Sequence, residues 1–315
     1  EPLEVMVDDA VAFAKRYDLD GYRVDAVKHM PRSVFFNLQS RVKNELEGGM
    51  DFYTVGETFD GDRGLIASYT GPTMLDAQFD FPFYFTLRSA FIDYGASLAD
   101  LEASWQESQR VFAGRTMSAF LGNHDVPRFV TVADVGDWGV CKPGGQALQD
   151  PAPAPSGPLP YQKLKLGWTW LLVHEGLPLV YYGDEIGLPG HQDPDNRQMM
   201  RFPGELSEQE EGVLDHVRRL GQARRQHPAF SRGDRRVWWE EPNVWAWSRV
   251  SGSDAVIAVV NRSGEERVLE NGLAWAGLPQ GGRWRDVLTG ATAQANGDRL
   301  SVRVPAFGSV VLVAD

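Results

Sequence analysis

With a single cysteine, Cys141, the 315-residue chain has no internal disulfide framework and no zinc site built from cysteine thiolates. No uninterrupted apolar run approaches the ~18 residues that a membrane-spanning helix needs, so a membrane partner is not expected. Basic residues are in the minority: 31 Lys and Arg against 43 Asp and Glu give a net charge of −12. An acidic surface repels phosphate backbones, which argues against nucleic acid as a partner. The chain opens Glu1-Pro2-Leu3, with neither an initiator Met nor a signal peptide in view. Aromatics, by contrast, are plentiful, at ten Trp, nine Tyr and 16 Phe. Most must fill a core, although sugar-binding clefts also use aromatic faces. With 43% hydrophobic and 23% charged residues the composition is that of a globular chain about two domains long.

Two periodicities divide the sequence. Up to about residue 228, helical stripes alternate with short apolar runs. Leu3, Val7, Val11 and Ala14 share a helical face, with Pro2 suited to the first turn. Val34, Leu38, Val42 and Leu46 mark a second helix, stopped by Gly48-Gly49. Leu164, Trp168, Leu171 and Leu172 mark another, and Ser207 with Glu210 has the spacing of a capping box ahead of Val213, Val217 and Leu220. Five strands are expected between and beside these helices: Gly21 to Val24, Phe52 to Val55, Leu75 to Phe81, Thr116 to Leu121 and Pro178 to Tyr182. Strand and helix in alternation imply parallel β-α units with right-handed crossovers. Beyond about residue 229 the pattern becomes short strands with turns every ~10 residues, the mark of an antiparallel β domain. There Trp245 and Trp247 share one strand face, as do Leu300, Val302 and Val304. The stretch Lys142 to Pro160, rich in Pro and Gly, reads as an irregular surface loop.

Three carboxylates stand at or just beyond strand ends: Asp25, Glu57 and Asp125. In a parallel α/β barrel all such ends open onto the face where the active site is built. The intervals agree, since 32 residues separate Asp25 from Glu57, one β-α unit, and 68 separate Glu57 from Asp125, two units. An acidic residue at a strand end can also simply cap the next helix, but three in Gly- and His-bearing contexts favour chemistry. Arg23 and Asp25 are two apart and so share a strand face, where the cation keeps Asp25 ionised, as a nucleophile requires. Glu57 follows Gly56, which would leave room for a ligand beside a carboxyl group held protonated. Carboxyl groups with opposed protonation preferences, ~5–5.5 Å apart, are what retaining glycoside hydrolysis needs. His124, beside Asp125, would contact sugar hydroxyls.

These segments also resemble those of a known family. Gly21-Tyr22-Arg23-Val24-Asp25-Ala26-Val27-Lys28-His29-Met30 resembles the second conserved region of the α-amylase family, glycoside hydrolase family thirteen. Val55-Gly56-Glu57-Thr58 resembles its third region and the run from Phe120 to Phe129 its fourth. Gly176 to Gly187 is similar to the eighth-strand segment, and Phe79 to Tyr84 to the sixth-strand region of fungal-type α-amylases. Asp193 to Met200 is similar to a substrate-binding loop of cyclodextrin glucanotransferases and related enzymes.

The resemblance implies Asp25 as nucleophile, Glu57 as general acid/base and Asp125 as transition-state stabiliser. Arg23 would orient Asp25, and His124 would bind the sugar being cleaved. Lys28 and His29 would line the leaving-group side, and the His29 carbonyl would contribute to a Ca²⁺ site, a cation that takes oxygen donors. Asp193 and Arg197 would hold sugars on the non-reducing side, or pair with each other within their loop. Aromatic residues from Trp238-Trp239 and from Trp245 to Trp247 would serve core and interdomain packing, with a sugar platform as the alternative because adjacent strand residues point to opposite faces.

The fold so implied is the C-terminal part, about strands four to eight, of a (β/α)8 TIM barrel over residues 1–228, followed by an antiparallel β-sandwich domain over 229–315. Five strands do not close an eight-stranded barrel, so an N-terminal fragment of the same enzyme is expected as partner, carrying most calcium ligands. The expected activity is a retaining hydrolase of α-1,4 bonds in starch or maltooligosaccharides, acting outside the cell or in the periplasm. A transglycosylase or a cyclodextrin- or maltose-producing relative is the alternative within the family; Thr58, where many transferases carry a large aromatic, points back to hydrolysis. A non-catalytic carbohydrate-binding or transporter-partner protein of the same fold is the alternative outside it.

Overall fold

The structure, a computed structural model, describes residues 2–46, 51–136 and 151–315. Gly48-Gly49, Cys141 and the start of the Lys142 to Pro160 stretch lie outside the described residues. The elements begin with α1 (Pro2–Tyr17), β1 (Gly21–Val24), α2 (Arg32–Glu45), β2 (Tyr53–Gly56), α3 (Arg63–Ala67) and β3 (Ala77–Gln78). Next come α4 (Phe81–Phe91), α5 (Leu98–Val111), β4 (Ser118–Phe120), α6 (Phe129–Val135), α7 (Leu159–Leu172), β5 (Leu177–Leu179), α8 (Glu208–Gln226) and α9 (Ala229–Arg232). Eight further strands are β6 (Asp234–Glu241), β7 (Val244–Ser251), β8 (Asp254–Asn261), β9 (Arg267–Gly272), β10 (Arg283–Asp286), β11 (Thr292–Gln294), β12 (Arg299–Val304) and β13 (Gly308–Ala314). They form two compact units, Glu1–Phe85 with Ala103–Ala119, and Thr86–Glu102 with Phe120–Asp315. Among the described residues no helix is long and apolar enough to cross a membrane.

In the first unit the expected stripe holds: Val7, Val11 and Ala14 of α1 are buried against Leu38 and Val42 of α2 and against Phe52. Between them β1 and β2 pair in parallel, Gly21 opposite Tyr53 through Val24 opposite Gly56. β2 pairs in parallel with β3, and a parallel bridge from Phe79 to Ser118 reaches β4. The extended run expected from Leu75 to Phe81 is thus shortened to two ladder residues. It is interrupted because Leu75 bridges back to Thr70, while the Asp80 carboxylate accepts the Phe83 N–H at 3.1 Å and starts α4. Helix α4 escapes detection by periodicity because Phe81, Phe83, Tyr84, Leu87, Ala90 and Phe91 are all buried, leaving no polar face.

The second unit contains α7 and α8 and all of the antiparallel strands. The capping box is formed as expected: the Ser207 hydroxyl accepts from the Glu210 N–H and the Glu210 carboxylate accepts from the Ser207 N–H. The run expected from Pro178 to Tyr182 shrinks to β5, because the Asp184 N–H turns back onto Tyr181 O at 3.0 Å. A six-stranded sheet, β11-β10-β13-β8-β7-β6, faces a two-stranded one, β12-β9, across a core of Ala246, Ile257, Val259, Leu269, Leu300, Val302 and Leu312.

The tryptophans in this unit mostly pack inward. Trp238, Trp245 and Trp247 are buried. The Trp247 N–H donates to Val173 O at 3.1 Å, and its ring lies 4.6 Å from that of Trp170. The strict alternation expected of adjacent residues fails at Trp238-Trp239. A register shift between Val237 and Trp239 brings both indoles against the same core.

Candidate active site

In the first unit the ladder continues past the strand ends. The Glu57 N–H donates to Val24 O at 2.8 Å, and the Val27 N–H donates to Glu57 O at 2.8 Å. Glu57 is thereby fastened to backbone on both sides of Asp25. Ala26 between them has φ 46°, a left-handed conformation that costs a residue with a Cβ about 1–2 kcal/mol, and it turns the chain sharply after Asp25. Arg23 pairs with both carboxylates: its Nη1 contacts Asp25 Oδ1, and its Nη2 lies 2.9 Å from Glu57 Oε2. The Asp25 side chain is open to solvent whereas Glu57 is buried. Arg23 thus bridges one exposed carboxyl group and one buried one.

The space expected beside Gly56 is also already filled. A Cβ there would meet Leu75 Cδ1 at 2.5 Å and Val27 Cγ2 at 2.8 Å, with Gln78 Nε2 closer still. Glycine at this position admits the protein's own core, not a ligand. Lys28 is engaged with Asp60 at 3.2 Å and donates to Phe59 O at 2.7 Å. Thr58 is fully buried, while Phe59, next to it, is exposed and packs on Phe81 with ring centroids 4.6 Å apart.

In the second unit the other predicted residues gather on two loops. Asp125 lies beyond β4, with His124 Nε2 at 3.4 Å and Arg197 Nη2 at 3.6 Å from its carboxylate. Arg197 also pairs with Asp193 at 3.1 Å, so the pairing within the loop is made. The sequence reading missed what holds these loops together. Asn196, fully buried, donates through Nδ2 to both His124 O and Val126 O at 2.9 Å, the carbonyls on either side of Asp125. Its own carbonyl accepts from Arg128 Nε at 2.9 Å. Arg128 in turn pairs with buried Asp184 at 2.8 Å and lies over the Tyr181 ring at 4.1 Å. Burial alone would push the Asp195 carboxyl up, but the N–H groups of His191 and Ala152 and the Gln198 side chain outweigh it and hold the group below the usual range. All four stand inside motifs that the sequence displays, Arg128 and Asp184 near strand ends and Asp195 and Asn196 in the Asp193 to Met200 loop, but the motifs do not show which partners they bind.

The calcium expectation rests, within this chain, on His29. His29 ends a short 3-10 turn and is exposed, and among the described residues no group of three or more His, Cys, Asp or Glu is placed to hold a metal ion. Ca²⁺ takes about six to eight oxygen donors. The His29 carbonyl would supply one of them, the others coming from outside this chain.

Comparison with known proteins places this geometry. The α-amylase catalytic domain matches residues 3–244, and the α-amylase C-terminal all-β domain matches 238–315. A β/α-amylase of Paenibacillus polymyxa is 28% identical over 286 residues, covering 90% of this chain and 21% of that protein. A cyclomaltodextrin glucanotransferase of Geobacillus stearothermophilus is 28% identical over 311 residues, 96% of this chain and 37% of that one. Among solved structures, an Anoxybacillus α-amylase superposes with a TM-score of 0.82 at 27% identity, over 99% of this chain and 62% of its own. The α-amylase of Geobacillus thermoleovorans, in complex with acarbose, gives 0.82 at 26% identity, over 99% and 64%. The chain thus spans less than two thirds of the length of each of these relatives. Its parallel β-α units belong to a (β/α)8 catalytic barrel and its antiparallel strands to the β-sandwich that follows, and the chain is a member of the α-amylase family of glycoside hydrolases.

Proposed function

We propose that this chain carries the catalytic carboxylates of a retaining α-glucan hydrolase that cleaves α-1,4 bonds in starch or maltooligosaccharides. One observation carries the proposal: Asp25 and Glu57 follow neighbouring parallel strands at the same register, joined by Arg23. Adjacent strands lie ~4.8 Å apart, close to the ~5–5.5 Å between carboxyl groups that retention requires. Asp25, exposed and ionised, attacks the anomeric carbon. Glu57 gives a proton to the departing glycosidic oxygen, and a covalent glycosyl ester forms on Asp25 as that bond breaks. Glu57 then takes a proton from water, which attacks the same carbon and releases Asp25. Asp125 and His124 stabilise the sugar as positive charge develops, and Arg23 keeps Asp25 oriented. Asp193 and Arg197 bind sugars on the non-reducing side, and Lys28 and His29 line the leaving-group side.

The barrel portion is taken as 1–228 and the β domain as 229–315. We further propose that an N-terminal fragment of the same enzyme completes the barrel and supplies most ligands of a calcium ion that His29 joins through its carbonyl. The place of action is outside the cell or in the periplasm.

Replacing Glu57 by Gln in the complete protein should lower release of reducing sugar from soluble starch by at least ~10³-fold while oligosaccharide binding persists. Substantial turnover by that variant would rule out the assignment. A second possibility, transfer to an acceptor sugar, is favoured by the exposed ring of Phe59, two residues beyond Glu57, since an aromatic at the rim can seat a sugar and keep water away. Chromatography of products over time separates the two, because transfer gives oligosaccharides longer than the substrate before hydrolysis products accumulate.

A further inference from the structure

We propose that the β domain carries a second carbohydrate site, built around Trp275, that binds the pyranose rings of an α-glucan chain. Trp275 is 51% exposed, although other tryptophans of this domain are buried. It stands on the 3-10 turn Ala274–Ala276, beside the end of β9. With Val237, Trp238, Trp239, Glu240 and Asn271 it lines a shallow cavity of about 440 Å³, within the range of ~300–1,000 Å³ typical of small-ligand sites.

The indole is held in place by its surroundings. Asp298 accepts the Leu273 and Ala274 N–H groups at 3.1 and 2.6 Å, closing the turn from beneath. Arg236 donates to Trp275 O at 2.9 Å. Asn271 donates to Trp238 O at 2.6 Å, tying the turn to β6. A Cβ on Gly272 would lie 3.3 Å from Trp275 Cδ1, so the ring rests on glycine backbone. Holding an aromatic plane toward water on so constrained a turn costs hydration without adding to the core.

The lining selects the ligand. The axial C–H faces of a glucopyranose are apolar and stack on an indole, while its hydroxyls need polar partners at the edge. Glu240 is exposed at the rim, where its carboxylate can accept from them. With Arg236 of opposite charge beside the same turn, the rim favours neither sign, which fits a neutral sugar better than an ionic ligand. The choice of an α-glucan over another neutral sugar rests on the catalytic function proposed above: a polymer held on the same chain is presented to that chemistry at a raised effective concentration.

The test is native electrophoresis of the complete protein in gels containing amylopectin, with Glu57→Gln in the background so that the polymer survives. Trp275→Ala should raise the apparent dissociation constant at least about fivefold, and Trp275→Phe, which keeps a ring, should recover part of the loss. Equal retardation with and without Trp275→Ala overturns the second site, as does a Trp275→Phe variant no better than alanine. Cleavage of soluble starch by the protein with Glu57 intact is measured separately. If cleavage is present and retardation is insensitive to Trp275, only the second site falls; if cleavage is absent, the catalytic function falls with it.

Discussion

His216 sets an acid limit on the second unit. It lies on α8 with Nε2 2.9 Å from Thr169 Oγ1, which is itself 2.8 Å from Ser309 Oγ of β13. Burial, aided by the nearby Lys165 ammonium, pushes its pKa down from 6.5 to about 3. The folded chain therefore keeps this imidazole neutral while the unfolded chain protonates it below pH 6.5. Because the folded value is depressed, the contribution to stability is complete above the unfolded pKa and is lost as pH falls toward the folded one. At ~1.4 kcal/mol per pH unit the loss attributable to His216 is about 2 kcal/mol at pH 5 and about 3 kcal/mol at pH 4. His174, buried against Arg235, Arg249 and Arg224, is also pushed well below its usual value and adds to the same trend. Urea unfolding followed by tryptophan fluorescence at pH 7.5, 5 and 4 measures the loss. His216→Gln keeps a hydrogen-bonding side chain without a titrating ring, so its stability should fall less steeply with acid than that of the parent. Identical pH slopes for parent and variant would refute the reasoning.

Gly56→Ala should be destabilising by ~1–3 kcal/mol, because the added methyl collides with buried Leu75, Val27 and Gln78; the relief available is movement of β2, which carries Glu57, so kcat should fall by about 10²-fold. A variant with parental kcat would show that Glu57 tolerates that displacement. Asn196→Ala strands the carbonyl of Val126, leaves that of His124 only the 3.3 Å bond from Arg197 Nε, and should cost ~1–3 kcal/mol in thermal or urea unfolding. Its turnover at saturating substrate should fall at least about tenfold, since Asp125 lies between those carbonyls; parental turnover would remove Asn196 from the positioning of Asp125.

The three carboxylates of the candidate site were legible because they stand at strand ends, where short apolar runs give way to charge. Asp25, Glu57 and Asp125 could be found that way, and the capping box of α8 is a purely local pattern. What stayed hidden depends on contacts distant in sequence. Nothing near Asn196 announces that it will bond backbone on both sides of Asp125, since its partners lie about seventy residues away. Gly56 looked like room for a ligand, and only the packing of Val27, Leu75 and Gln78 reveals the true occupant. Helix α4 carries too many apolar residues for a 3.6-residue period to show. The Trp238-Trp239 pair misled because alternation assumes a regular strand and the bulge removes that regularity.

The single guanidinium shared by Asp25 and Glu57 has a further consequence for timing. In the proposed reaction Glu57 still carries its proton while Asp25 is charged, so the attraction of Arg23 falls chiefly on Asp25. If Asp25 then becomes an uncharged sugar ester and Glu57 has given up its proton, the same cation is left to pair with the Glu57 carboxylate. One fixed charge would thus steady the nucleophile in the first half of the cycle and the base in the second.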